Sequence, residues 1–241
     1  MDKEKFILIS QFPVLDTNRV NLAERLLSNI YHQKKSVLLF ANTNFIVTCR
    51  FILEYTKDPS VLIVSDGVGM DIAARLLHGT SFEENLNGTD FTPFLFQSGT
   101  RPLRVFLLGG KPDVIQSAGK FVEEKLGQVI VGWCDGYGGL RDAKDIEGSI
   151  NDANPDVVLV ALGNPLQEKW IIEHRDKINA SLLIGVGALF DFWSGDKARA
   201  PRMVQRLRLE WLYRLFLEPR RLLRRYTIDI LVFLRQCYRY R

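Results

Sequence analysis

Asp66, in the segment Ser65-Asp66-Gly67-Val68-Gly69-Met70, is the carboxylate best placed to do chemistry. It follows an aliphatic run, Val61 to Val64, and precedes two glycines that would let a sugar or backbone approach closely. Position alone leaves two roles open for it, general base or cap of the following helix. Other polar groups follow aliphatic runs in the same way. Asn42-Thr43-Asn44 comes after Val37 to Ala41. Gly109-Gly110 has the look of a phosphate-binding turn with free N–H groups, and the loop Asp135-Gly136-Tyr137-Gly138-Gly139 could hold a nucleotide with it. A plain tight turn is the other reading of that glycine pair. In Gly163-Asn164-Pro165-Leu166-Gln167-Glu168, Gln167 suits sugar hydroxyls, while Glu168 would complement a helix dipole. Asp191, after Gly187-Ala188-Leu189-Phe190, is a second acid, functional or structural.

Several chemistries are disfavoured. His32, His78 and His174 lack ligand spacing, no D-x-D occurs, and the nearest approach, Asp145-Ile146-Glu147, lies in a charged stretch, so a metal-free site without a resident cofactor is expected. The fingerprint G-x-G-x-x-G is missing after Val105 to Leu108, which argues against a nicotinamide dehydrogenase. Cys49, Cys134 and Cys237 are dispersed, which fits a reducing compartment and no zinc site.

The elements that must position these residues are legible from periodicity. Seven short runs, at Phe6–Ile9, Val37–Ala41, Val61–Val64, Val105–Leu108, Val129–Trp133, Val157–Leu162 and Leu182–Gly187, are continuously apolar, as strands buried on both faces require. Helical spacing over residues 20–31 and 114–126 alternates with them, giving an α/β fold with a doubly wound, Rossmann-like parallel sheet and flanking helices. Ligands of such sheets bind at the carboxyl ends of the strands, where the polar groups collect.

The 241 residues carry a net charge of +4, unevenly distributed. Residues 199–241 hold twelve Arg, no Lys and three acids, a net +9, leaving −5 on residues 1–198. Two domains are read: a catalytic body at 1–198 and an Arg-rich, helical, membrane-associating appendage at 199–241. In the appendage one amphipathic helix is expected over 203–217 and a second, after Pro219, over 222–234. Arg214, Arg220, Arg221, Arg224 and Arg225 fall near each other across the two, suited to phosphate or to an anionic membrane surface. A solvated basic face is the other reading. The start MDKEKFILIS lacks the regions of a signal peptide, and no apolar run approaches the roughly 20 residues of a span. A cytoplasmic protein lying on the inner face of the membrane is therefore expected.

In order along the chain, SDGVGM, LNGTDFTP, VFLLGGKP, GYGG, ALGNPLQEKW, GVGALFDFWSG and RAPRMVQRLRLEWLYRLFLEPRRLLRRY resemble the WecG/TagA/CpsF family of bacterial glycosyltransferases. The stretch LHGTSFEENLNGTDFTP is most similar to its GumM-like branch, which transfers glucose from UDP-glucose to a polyprenyl-diphosphate-linked glucose in exopolysaccharide synthesis. The resemblance implies inverting, metal-independent transfer with Asp66 as base, Gln167 on the sugar or acceptor, and Arg214, Arg221 and Arg224 on the diphosphate. The family's T-x-N turn is Asn42-Thr43-Asn44 here, so either Asn42 or Thr43 stands for its leading Thr. N-acetylmannosamine or its uronic acid is the alternative donor sugar. The alternative of another class is a nucleic-acid or nucleotide-binding protein using the Arg tail, although no nucleic-acid partner is expected. A homo-oligomer is compatible with the sequence.

Overall fold

The computed structural model describes residues 4–206 and 209–240. The chain runs β1 (Phe6–Ile9), β2 (Phe12–Leu15), α1 (Arg19–Tyr31), β3 (Ser36–Ala41), α2 (Thr43–Thr48), a 3₁₀ helix (Arg50–Lys57), β4 (Val61–Ser65), α3 (Val68–His78), α4 (Gly88–Ser98), β5 (Arg104–Gly109), α5 (Pro112–Leu126), β6 (Val129–Cys134), α6 (Gly138–Asp142), α7 (Ile146–Ala153), β7 (Val157–Ala161), α8 (Leu166–His174), β8 (Leu182–Gly185) and α9 (Leu189–Ser194). Four helices follow: α10 (Arg202–Arg206), α11 (Glu210–Leu217), α12 (Pro219–Tyr226) and α13 (Ile228–Arg239).

Eight strands form one sheet in the order β1-β2-β4-β3-β8-β7-β5-β6, and every pairing except β1 with β2 is parallel. The α/β, Rossmann-like architecture is as the apolar runs imply. Strand alternation sends Val37, Leu39 and Ala41 of β3 into a layer with α2, α3, α8 and α13. Leu38 and Phe40 point into the opposite layer, with α1, α4, α5 and α9. Helix starts are fixed locally: Asn18, Asn42 and Asn87 each accept a backbone N–H three residues ahead, an N-cap contribution of about 1 kcal/mol apiece.

Three features differ from the sequence expectation, the first being that the helix expected over 203–217 is two helices, α10 and α11, with Leu209 outside both. The antiparallel hairpin edge was not foreseen, because Phe12-Pro13-Val14-Leu15 contains a proline that cannot donate to a ladder. Pro13 is accommodated opposite Leu8 of the edge strand β1, which itself alternates exposed and buried residues rather than being buried throughout. In the tail, Pro219 opens α12 as its first residue, where a missing N–H costs nothing, and the expected second helix is divided at Thr227. The Thr227 hydroxyl donates to the Leu223 carbonyl at 2.7 Å as α12 ends.

The last helix turns back onto the body. α13 packs on α2 and α3, and Phe233 and Cys237 are buried in the same core layer as Phe45, Ile46 and Met70. The Arg50 guanidinium lies 4.0 Å over the Tyr240 ring, tying down the helix end. Truncating Phe233 to Ala would leave a void between α13 and the body. The variant should lose about 3–4 kcal/mol in denaturant unfolding; a loss under about 1 kcal/mol would show that α13 is not docked through this ring.

Candidate active site

α5 leaves β5 on one face of the sheet and α8 leaves β7 on the other, so a topological switch point opens at the carboxyl ends of β5 and β7. A second opens between β8 and β3, which are followed by α9 and α2 on opposite faces. All the body residues singled out from the sequence lie along this rim.

At the β3–β4 end, Ala41 pairs with Ser65, and the Asp66 N–H donates to the Ala41 carbonyl at 2.7 Å. Asn42 then does two things: its Oδ1 accepts the Phe45 N–H at 3.1 Å to cap α2, and its Nδ2 stands 3.4 Å from Asp66 Oδ2. Thr43 instead turns its methyl toward α3, where a Cβ at residue 69 would overlap it. Gly69 is thus explained by the close approach of α2 and α3 rather than by substrate access. Gly67 has φ +97°, takes the N-cap place of α3 without a side-chain cap, and donates its N–H to Asn85 Oδ1 at 2.8 Å. The N-cap place of α3 is thus taken by Gly67, and Asp66 stands one residue before it.

At the β5–β6 end the donors are less free than expected. The Gly110 N–H donates to the Ala161 carbonyl at 3.2 Å, and the Gly110 carbonyl accepts the Gly136 N–H at 2.9 Å. Asp135 points inward: its two oxygens accept the Tyr137 and Gly139 N–H groups at 3.0 and 3.1 Å. It shapes the loop and presents no carboxylate to a ligand. Tyr137, by contrast, is 63% exposed on the rim.

At the β7 and β8 ends an amide network links three loops. Gly163 has φ +76°, and the Asn164–Pro165 peptide is cis. Asn164 accepts from Asn44 Nδ2 and from the Thr48 hydroxyl, the latter at 2.7 Å, and its own Nδ2 donates to Cys49 Sγ at 3.0 Å. Burial pushes the Cys49 thiol up to about 12, so it stays neutral. Gln167 is buried, its Oε1 accepting the Gly187 N–H and its Nε2 donating to Glu168 Oε1, both at 2.9 Å. Glu168, expected at the dipole of an exposed helix start, is fully enclosed, and burial raises its carboxyl above the usual carboxylate range. Asp191, in the first turn of α9, is paired with Lys197 at 2.7 Å.

The tail contributes less that can be placed. Arg220 and Arg224 are exposed on α12, while the side chains of Arg214, Arg221 and Arg225 lie outside the described residues. Arg199 was not singled out as a site residue. It grips Asp90 of α4 in a fork of 2.5 and 2.7 Å. Burial opposes ionisation of Asp90, yet hydrogen bonds from Arg199 and Asn87 hold its carboxyl below the usual range. Among the described residues no three His, Cys, Asp or Glu side chains converge as metal ligands, and no helix is long and apolar enough to cross a membrane.

The model of the family described as "Glycosyl transferase WecG/TagA/CpsF family" matches residues 7–241. The N-acetylglucosaminyldiphosphoundecaprenol N-acetyl-beta-D-mannosaminyltransferase of Bacillus subtilis (strain 168) is 38% identical over 162 residues, which is 66% of this chain and 62% of that protein. The protein of the same name from Bacillus spizizenii is 35% identical over 161 residues, with the same coverage of 66% and 62%. The match thus spans a little under two thirds of these relatives.

Closure of the rim at β5 and β7 depends on a missing side chain. Gly109 has φ +109°, and a Cβ there would sit 2.5 Å from the Ala161 carbonyl oxygen. Gly109→Ala should cost about 2 kcal/mol or more in denaturant unfolding, whereas Gly138→Ala, where a Cβ meets open space, should stay within about 0.5 kcal/mol. Equal effects at the two positions would refute the close-approach account.

Proposed function

Because the chain belongs to the glycosyl transferase WecG/TagA/CpsF family, we propose that it moves a hexose from a UDP-sugar to a sugar carried on a polyprenyl diphosphate, with inversion and without a metal ion. The observation that carries the reading is the place of Asp66 at the carboxyl end of a central parallel strand, beside the Asn42 amide. In inverting transfer the acceptor hydroxyl gives its proton to a carboxylate as its oxygen attacks the anomeric carbon. The bond from that carbon to the UDP oxygen breaks, and negative charge grows on the departing diphosphate. Asp66 is the base in this proposal, and the Asn42 amide orients it. Asn42 rather than Thr43 then does the work of the family's leading Thr.

Charge on the leaving diphosphate needs cationic partners. Arg224, with Arg214 and Arg221, is proposed to supply them from the tail, and the rim at Gly109, Gly136, Tyr137 and Asp191 to hold the nucleotide. Two readings of the donor sugar stand. Glucose follows from the similarity of residues 77–93 to the GumM-like branch, and N-acetylmannosamine from the names of the two Bacillus relatives. A panel of UDP-sugars offered with lipid-diphosphate-linked glucose or N-acetylglucosamine, read by UDP release, separates them.

The polar acceptor head implies a membrane surface as meeting place. Phe216, Leu217, Leu223, Leu231 and Tyr238 are all more than half exposed on α11 to α13, interleaved with Arg220, Arg224, Arg235 and Arg239. An apolar face bordered by arginines fits a helix layer seated among anionic headgroups.

Two outcomes test this function. Asp66→Asn should lower the transfer rate at least about a hundredfold with UDP affinity unchanged, and near-normal turnover would remove Asp66 as base. Paired substitution of Phe216 and Leu231 by Asp should weaken binding to anionic vesicles about tenfold or more while the thermal midpoint holds. Undiminished vesicle binding would discard the membrane face.

A further inference from the structure

Glu168 is the most enclosed acid among the described residues, 1% exposed, and no step above uses it. It lies on the inward stripe of α8 with Ile171 and Ile172. Its Oε1 accepts from Gln167 Nε2 at 2.9 Å, and its Oε2 is buried with no hydrogen-bond partner among the described residues. The Asn164 amide and the Cys49 thiol stand beside it. Gln167 in turn holds the Gly187 N–H and lies flat against Gly185, where a Cβ would come within 3.0 Å of its Nε2.

We propose that Glu168 is a positioning residue for the transfer reaction: its carboxyl fixes the Gln167 amide, which holds the β8–α9 turn ahead of Asp191, and it backs Asn164, which joins the β3–α2 turn. The inference rests on reading this rim as the transferase site. One buried carboxyl thereby registers three loops against each other, those that follow β3, β7 and β8. Burial penalises an ionised carboxylate here more than the hydrogen-bonding groups of Gln167, Asn164 and Cys49 favour it, which shifts the balance toward the neutral acid. Burial raises its carboxyl above the usual carboxylate range. Of the groups that face it, Cys49 at the end of α2 is titratable and stays neutral, while Asn164 and Gln167 carry no charge. Ionisation at alkaline pH would draw the spare amide N–H groups of Gln167 and Asn164 inward and loosen their hold on the neighbouring turns.

Two variants of the full chain test this. Glu168→Gln keeps an acceptor for Gln167 and cannot ionise; Glu168→Ala removes the hub. In sugar transfer followed between about pH 6 and pH 10, Glu168→Ala should lower kcat about tenfold or more with KM for the UDP-sugar within about twofold. Glu168→Gln should keep kcat within about threefold at neutral pH and abolish the alkaline fall shown by the wild type. Gly187 amide exchange in the substrate-free protein gives a readout that needs no turnover. It should be slow in the wild type and Glu168→Gln, and about tenfold faster in Glu168→Ala. Unchanged kcat in Glu168→Ala, a wild-type alkaline fall in Glu168→Gln, or equal Gly187 exchange in all three proteins would each overturn the proposal. If no UDP-sugar supports turnover, the transferase reading fails while the exchange data still decide whether Glu168 holds the turn. Should Glu168→Ala not fold, the pH profile of Glu168→Gln against the wild type decides alone.

Discussion

The register of β3 against β4 is the constraint on which the site depends. Ala41 lies opposite Ser65, so the next residue of each strand, Asn42 and Asp66, leaves the sheet beside the other. The backbone bond from the Asp66 N–H to the Ala41 carbonyl extends the ladder one step past the strands and fixes the base of the aspartate. Side chains alternate along a strand, so a slip of one residue would send Phe40 and Val64 to the wrong layer and separate amide from carboxylate. The apolar packing that forms the sheet therefore also places the candidate base. A similar economy operates at β5 and β7, where Gly109 is paired with Ala161 and the absence of a side chain lets the two strand ends close.

The tail is bound into this arrangement rather than hung from it. α13 packs on α2 and α3, the helices that begin just after Asn42 and Asp66. Arg199 anchors the start of the tail to Asp90, while Phe233 and Cys237 anchor its end in the core. Between these anchors α11 and α12 carry the exposed apolar residues and Arg220 and Arg224. A surface that pulls on α11 and α12 is thereby connected through packed helices to the turns bearing the candidate base and its amide partner. Arg199, at the start of the basic tail, pairs both with Asp90 of the body and with Glu210 of the tail.

The central strands and the rim were legible from the sequence because burial on both faces leaves an unmistakable apolar run, which the edge strands β1 and β6 show without that burial, and because polar residues directly after such runs have nowhere to go but the sheet's carboxyl edge. β2 was not legible, since Pro13 breaks the pattern, and only its pairing with β1 reveals the strand. The orientation of polar side chains was not legible either. Asp135 and Tyr137 are two residues apart in one loop, yet Asp135 folds inward onto two N–H groups while Tyr137 stands out. Glu168 could have been suspected from its spacing to Ile171 and Ile172, which puts it on the buried stripe of α8. Its neighbourhood with Cys49, more than a hundred positions away and bonded to Asn164, is announced by no local pattern.

The amide network on the β7–β8 side of the rim is built mainly from groups without a formal charge. Asn44, Asn164, Gln167 and the Cys49 thiol make up the network with Glu168, whose carboxyl burial raises above the usual range, while Asp191 is paired with Lys197 and Asp90 with Arg199. Such a composition has a physical use in transfer of a sugar from a nucleotide diphosphate. Fixed carboxylates beside the leaving phosphates would oppose the charge that grows there, whereas amides can orient hydroxyls without adding charge of their own. In the proposed reaction cations then have to come from elsewhere, and the arginines of the tail are the proposed source. On this argument the amide network and the arginine-only tail are two halves of one electrostatic arrangement, the first avoiding negative charge at the leaving group and the second supplying positive charge to it.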